Sequence, residues 1–315
     1  MLTRAHLLAI GVSAFEITRD LRHGELVPIA HGVHLRRCDH DALDDTGRHR
    51  VLARHLGSTL SPGHVISHVS AAVLHGAPVW NLPLTRVHVS RPPSSGARRR
   101  GRLHLHAARL AEADLATVDD VPVMSVARTI ADVARTAPRP QAVVLGDALL
   151  RNDPAAAAAL PRILDAAGGL NGVARARAVA GFLDARSESV GESLSRVRIE
   201  EAGLPRPHLQ HEVVTRDGRR FRLDFFWQEF GIVGEFDGTG KYSDRRDLVA
   251  EKFREDAVRD PGPRSSGGAG WSRTTSTSSY SVSSVPAHVQ DGRDGRGTEI
   301  SVHQASCGAV VEGPV

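Results

Sequence analysis

The sequence predicts a multidomain α/β chain in which helical and strand patterns alternate through successive blocks before giving way to a polar tail. Three observations carry this reading. The chain is 315 residues long, more than one core usually holds at roughly 100–200 residues per domain. Residues 48–186 alternate period-two apolar stretches with capped helical ones. From 187 the composition shifts: aromatic residues make up 4% of the chain, yet residues 221–242 hold six Phe or Trp and one Tyr. The boundaries drawn from these shifts are 1–37, 48–186, 187–260 and 261–315.

Composition excludes several classes. At 41% hydrophobic and 24% charged residues the chain is not wholly disordered. Forty Lys and Arg against 36 Asp and Glu leave a net charge of +4, which permits a nucleic-acid partner without requiring one. Cys38 and Cys307 lie far apart, which excludes a disulfide framework and a thiolate zinc site. The N-terminus lacks a signal peptide's apolar stretch. No run approaches the ~18–20 apolar residues of a membrane span. The expectation is a cytoplasmic protein with no membrane partner.

The first 37 residues read as a winged-helix element. Leu2 to Ile10 suits a short helix, Gly11 breaks it, and Ser13 caps a second helix that runs through Arg22 and ends at Gly24. LVPIAHGVHLRR then forms two strands turning at His31-Gly32, the wing. A helix–turn–helix packing unit that touches no DNA satisfies the same pattern. Residues 38–47 read as an acidic linker or helix lead-in. The middle α/β domain follows: a helix at 50–60, a capped helix at 67–76, strands in RVHVSR (86–91) and GRLHLHAAR, then VPVMS (121–125). Ser125 caps a helix, another covers 141–151, and 155–186 is Ala-rich and helical. In the third block the expected elements are a helix at 192–202, strands near 210–215, 221–227 and 232–237, and a charged helix at 247–259. The tail, 261–315, holds no Leu, Lys or Phe and reads as disordered; a frame change in the coding sequence is the other reading.

The constellation richest in chemistry is Glu192, Asp224, Glu235 and Asp237, with Lys241 close behind. Antiparallel pairing about the turn 228–231 sets Trp227 opposite Ile232 and, three steps out, Asp224 opposite Glu235. Two facing carboxylates repel by about 1 kcal/mol or more unless a cation neutralises them. A hard cation with oxygen ligands, Mg²⁺ first, suits them. Asp237 shares the strand face of Glu235 and adds a ligand. Two plainer readings stand beside this: Asp237-Gly238 is an ordinary turn signal, and Asp224 pairs structurally with Arg222 or Arg220.

Seven arginines lie between 86 and 111 without an acid, and Arg98, Arg99 and Arg100 among them suit phosphates or a solvated loop. His104 and His106 share one strand face, but no third metal ligand is evident from the sequence. GTGKY lacks the Ser or Thr and the spaced Gly of a phosphate-binding loop, and neither GxSxG nor HExxH occurs.

SESVGESLSR, then HEVVTRDGRRFRLDFFWQEFGIVGEFDGTGKY, then EKFRED resemble the endonuclease domain related to very-short-patch-repair endonucleases, of the restriction-endonuclease-like PD-(D/E)xK fold. The resemblance covers about 70 residues in three ordered blocks. It implies a mixed sheet flanked by helices, with Glu192, Asp224 and Glu235 as the acidic set holding Mg²⁺, or Mn²⁺ in its place. The wider fold carries Lys two residues after the second acid. Here that position holds Asp237, and Lys241 or Tyr242 is left to reach the site from the loop. The family also implies a further core strand after EKFRED, which the polar tail replaces, so residues from about 262 are expected to lack regular packing. GVSAFEITRDLRHGELVPIAHGVHLRR is similar to the winged-helix start of AbiEi-type antitoxins of type IV toxin–antitoxin systems, with SHVSAAVLHG resembling their middle segment. That likeness implies promoter DNA and a cognate toxin as partners, with Ser13, Thr18, Arg19 and Arg22 facing DNA. The expected function is therefore a DNA-binding protein with a Mg²⁺-dependent endonuclease-like domain hydrolysing phosphodiester bonds. The alternative is a non-enzymatic, antitoxin-like transcriptional regulator whose acidic set is vestigial.

Overall fold

The computed structural model describes residues 1–214, 220–236 and 300–304. It is a mixed α/β structure with three sheets, and the chain divides into two compact units, Met1–Val190 and Gly191–Val315. Blocks 1–37 and 48–186 thus fall within one unit. The helix expected at 247–259, Asp237, Lys241 and Tyr242 lie outside the described residues.

The first unit opens with β1 (Leu2–Thr3), α1 (Arg4–Ala9), α2 (Ala14–His23), β2 (Leu26–Ala30) and β3 (Val33–Arg36). Thr3 accepts the backbone N–H of His6 and starts α1. Ser13 and Glu16 form a reciprocal capping box at the start of α2, and Gly24 ends it at φ 77°, where a side chain would be strained. Ile17, Leu7 and Leu26 join the two helices to the hairpin in one apolar cluster. β2 and β3 turn at His31-Gly32, and β1 pairs along β3, so the wing is three-stranded.

Of the two readings of 38–47, the helix lead-in is the one found: α3 (Arg37–Asp41) is followed by α4 (Asp45–Ser58), whose N-cap Asp44 accepts the Gly47 N–H. Asp44 satisfies the N-terminus of α4, so a polar stretch need not be a loop. Next come β4 (Val65–Ile66), α5 (His68–Leu74), β5 (Val87–Arg91), β6 (Arg98–Arg100), β7 (Leu103–Ala107), β8 (Leu115–Val118) and β9 (Val121–Met124). They form a mixed six-stranded sheet ordered β6-β7-β5-β4-β9-β8, with parallel pairs at β5–β7 and β4–β9. Arg98–Arg100 is therefore an edge strand, not a loop; pairing with Leu103–Leu105 satisfies its backbone while Arg98 and Arg99 reach solvent.

The strand pleat divides this sheet. Val87, Val89 and Leu105 sit in the main core with Leu52, Ala53, Ala71 and Leu74 from α4 and α5, while the even positions His88, His104 and His106 take the opposite phase. Helix α4 comes so close at Gly57 that a Cβ there would overlap Val121. His49 completes the contact: Leu84 O requires its Nδ1 to donate, so its Nε2 accepts from Ser70 Oγ at 2.8 Å, and Ser70 Oγ accepts the N–H of His88.

Behind the sheet run α6 (Val126–Thr136), α7 (Arg139–Asn152), α8 (Leu160–Ala166) and α9 (Val173–Ala180). The Ala-rich stretch is broken into a 3₁₀ turn and these last two helices, not one long helix. A buried ion network joins them to the strands. Arg128 reaches Asp114 at 2.9 Å and Asp132 at 3.1 Å, and Arg162 reaches Asp114 at 2.7 Å.

The second unit comprises α10 (Val190–Glu201), β10 (His208–Val214), β11 (Arg220–Trp227), β12 (Ile232–Phe236) and β13 (Ile300–Gln304), the strands forming one antiparallel sheet in that order. Phe225 is fully buried, and Val213, Leu223, Phe226 and Val233 form the apolar cluster. The β11–β12 turn closes at Gly231, φ 58°. β13 corrects the expectation that nothing beyond about 262 packs regularly. A strand needs backbone pairing rather than Leu or Phe, and Ile300–Gln304 pairs antiparallel with β12.

Removing one partner from the ion network strands a buried charge. Asp114→Ala is expected to lower stability by about 3–5 kcal/mol in urea unfolding. Shortening the half-exposed Arg162 to Ala should cost less than about 1 kcal/mol.

Candidate functional site

The acidic set of the second unit grows from one helix and three strands. Glu192 lies in the first turn of α10 and is buried. Gln210 in β10 donates from Nε2 to Glu192 Oε2 at 2.9 Å. Its backbone is left-handed, φ 53°, and its Oε1 is buried without a hydrogen-bond partner among the described residues. Leu209 pairs with Phe225 and His211 with Leu223, so Gln210 falls opposite Asp224. On the other side Phe225 pairs with Gly234, Phe226 with Val233 and Trp227 with Ile232, and the same register brings Asp224 opposite Glu235.

Asp224 is half-buried and its Oδ2 accepts the backbone N–H of Phe236 at 3.0 Å. Among the described residues neither Arg220 nor Arg222 forms an ion pair with it. Glu235 is half-buried and stands opposite Ser301. By chemistry this donor set fits a hard divalent cation: three carboxylates and an orphaned amide oxygen. By position it is open, because the oxygens of Glu192, Asp224 and Glu235 do not all lie within 4.8 Å of one another. Gly191 holds α10 against the strand, since a Cβ there would overlap the Phe236 ring.

On α2, Ser13, Thr18, Arg19 and Arg22 are all exposed. Three of them already have local partners. The Ser13 hydroxyl is consumed by the capping box with Glu16, Thr18 Oγ1 donates to Ala14 O at 2.8 Å, and Arg19 holds Asp20 at 2.9 Å. Arg22 makes no hydrogen bond or ion pair among the described residues. The Ser13 backbone and hydroxyl bonds hold the Glu16 carboxyl below the usual carboxylate range, so this helix start carries a negative charge. Arg98 and Arg99 form a second exposed cationic element on the edge strand β6.

The two histidines on β7 find the ligands that the sequence did not reveal. Parallel pairing puts His88 beside His104 and Ser90 beside His106. His88 Nδ1 and His106 Nε2 are 3.1 Å apart. His68, first residue of α5, stacks on His106 with ring centroids 3.8 Å apart, and His104 lies 4.1 Å from His106. Among the described residues, His68, His88 and His106 are the group whose ligand atoms all fall within 4.8 Å of one another. Burial, then the neighbouring rings, disfavours their protonation. His88 is pushed down to about 3, His106 to about 4, and His68 well below the ordinary value.

No family model matches the chain. Two proteins of Mycobacterium tuberculosis, the uncharacterized proteins Rv2248 and MT2308 from two strains, are similar to it. Each is 28% identical over 236 residues, spanning 75% of this chain and 82% of its own length. Among solved structures, the RV2827C protein from the same species is similar over 68% of this chain and 83% of that chain, at 18% identity and a TM-score of 0.37.

Gln210, His68 and His88 are the residues that pattern reading missed. Gln210 was hidden because the β10–β11 register that sets it opposite Asp224 is not fixed by spacing within either strand. His68 and His88 left one faint signal, a His at alternate positions in both RVHVSR and GRLHLHAAR.

Two outcomes test this geometry. Gly191→Ala is expected to cost about 1–3 kcal/mol through overpacking, and to cost less in a Phe236→Ala background, where the ring that it meets is gone. The histidine cluster predicts acid lability. Its folded pKa values lie below the unfolded value of about 6.5, so unfolding takes up protons as pH falls. The stabilisation is complete above about pH 6.5 and is lost toward pH 4–3, by on the order of 3 kcal/mol for His88 at pH 4. Urea unfolding across this range should show the loss, and His88→Gln should flatten it.

Proposed function

We propose that the chain is a DNA-binding protein whose second unit is a phosphodiester-hydrolysing, endonuclease-like domain. The register that sets Asp224 opposite Glu235, with Glu192 tied in through Gln210, is the observation that supports this best. Helix α10 and strands β11 and β12 supply one acid each, the donor chemistry that a hard cation at a phosphodiester needs. Mg²⁺ or Mn²⁺ held by Asp224 and Glu235, with Glu192 assisting, would supply Lewis-acid polarisation of the phosphate and a more acidic water. This chain's own residues then position that chemistry. Gln210 fixes the Glu192 carboxylate, and the Phe236 N–H orients Asp224 by holding one of its oxygens. Asp237 and Lys241, the further ligand and the charge stabiliser of this proposal, lie outside the described residues.

DNA would be engaged through the α2 element and the Arg98, Arg99 and Arg100 strand, where cations and exposed polar groups meet phosphates without base reading. The exposed, unengaged Arg22 is the strongest contact in this reading. Ser13 serves the helix cap instead, because its hydroxyl cannot leave Glu16 without exposing the first backbone donors of α2.

One observation favours the second reading, a non-enzymatic regulator of the antitoxin type with a cognate toxin as partner. The three carboxylates are not gathered, and one Asp224 oxygen is already bonded to backbone.

Asp224→Asn separates the two. For a nuclease, Mg²⁺- or Mn²⁺-dependent nicking of duplex DNA should fall at least about a hundredfold, a loss of about 2.7 kcal/mol of transition-state stabilisation, with DNA affinity retained. For a regulator, neither chain cleaves and both bind. Arg22→Ala with Arg98→Ala should weaken binding uniformly across sequences and lower the salt slope by about 2 in gel shifts.

A further inference from the structure

We propose that His68, His88 and His106 form a transition-metal site in the first unit, taking Zn²⁺ through three imidazole nitrogens and leaving a fourth position open. The site is separate from the acidic set of the second unit and does not depend on the nuclease reading.

The geometry is close to what a tetrahedral site asks. With Zn–N of about 2.0–2.1 Å, two ligating nitrogens stand about 3.3 Å apart, and the His88 Nδ1 to His106 Nε2 separation is 3.1 Å. The third nitrogen, from His68, lies within 4.8 Å of both. A triangle of that side has its centre about 2.8 Å from each corner, so contraction by less than about 1 Å reaches bonding distance. All three donors are imidazoles, with no thiolate or carboxylate among them. Such a set suits Zn²⁺, Co²⁺, Ni²⁺ or Cu²⁺ and gives no purchase to Mg²⁺ or Ca²⁺.

The backbone gives up local stability to place the third ring. His68 sits at φ 53°, a left-handed conformation that strains a non-glycine residue. Ser67 occupies the cap position of α5, yet its hydroxyl makes no cap bond. It lies 3.0 Å from His68 Nδ1 instead. A ring nitrogen fixed by a hydroxyl leaves the other ring nitrogen oriented, the arrangement that metal-bound histidines use. A helix start that forfeits its cap and strains its first residue to stack one imidazole on another has a use for that imidazole.

The charged surroundings set the expected strength. Arg99 and Arg86 act on His104, and Arg135 acts on His68 and His106, so cations oppose an incoming dication. Arg135 is partly offset by Asp132 at 3.5 Å.

The test uses the full chain stripped of metal with a chelator. Titration with Co²⁺ should give one equivalent bound and the visible ligand-field absorption of a four-coordinate nitrogen site. Zn²⁺ should displace it and raise the melting temperature. His88→Ala and His106→Gln should each lose at least tenfold in Zn²⁺ affinity against a chromogenic chelator. His23→Ala, an exposed control, should bind as the parent does. Because variants at a buried cluster can unfold, the ring ¹⁵N resonances of the unaltered chain give a second reading: those of His68, His88 and His106 should shift together with one equivalent of Zn²⁺. The proposal is overturned by the absence of the ligand-field band, by folded variants that bind as tightly as the parent, or by ring shifts confined to other histidines.

Discussion

The pleat of the parallel β5–β7 pair governs the first unit. Parallel pairing aligns Val87 with Leu103, Val89 with Leu105 and His88 with His104, so alternate residues leave the sheet in two sharply different chemistries. One phase gives aliphatic side chains that bury Leu52, Ala71 and Leu74 of α4 and α5. The other gathers imidazoles that no single strand could bring together. A slip of one residue would exchange the two sets. It would place charged-capable rings in the core and valines among arginines, so the register is fixed from both sides. The N–H of His88 on this pair donates to Ser70 Oγ, which in turn bonds His49 of α4.

The second unit uses the same rule with antiparallel strands. One register, continued across three strands, sets Gln210, Asp224 and Glu235 side by side, while Phe225 and Leu223 in the other phase are buried. A row of polar groups on a half-buried sheet is expensive to maintain unless it is satisfied. Gln210 and the Phe236 N–H satisfy part of it, and the amide oxygen of Gln210 has no hydrogen-bond partner among the described residues. The left-handed backbone at Gln210 marks where strand geometry yields to the position of Glu192. Such departures concentrate where a fold holds a function. His68 is the corresponding position in the first unit.

Local patterns were legible wherever one residue type settles one backbone requirement. Ser13 with Glu16, and Ser125 before α6, mark helix starts because their oxygens accept the first free N–H groups. Gly24 and Gly32 mark the stop and the turn because their φ is positive. The turn at 228–231 fixed the β11–β12 register because a short loop admits one alignment. Reading failed where polarity alone was the guide. Within the acidic stretch 38–47, α3 already forms where a linker was one reading, Arg98–Arg100 is charged yet a strand, and β13 lies within a polar tail. In each case backbone pairing or capping outweighs side-chain polarity, and neither depends on an apolar sequence.

The sequence by itself determined the alternation of helices and strands, the capped helix pair with its hairpin, and the facing of Asp224 and Glu235, because all three follow from contacts within a few residues or across one short turn. Tertiary structure alone decided which distant residues meet. His68 reaches His106 from 38 positions away through the stacking of α5 on the sheet, and Arg128 joins Asp114 to Asp132 only because α6 folds back on β8 and β9. It also decided how far the carboxylates stand apart, since strand register sets who faces whom while helix packing at Gly191 sets the distance of Glu192 from the strands. Spacing along a chain records neighbours within an element; it carries no record of which faces the packing of whole elements brings together.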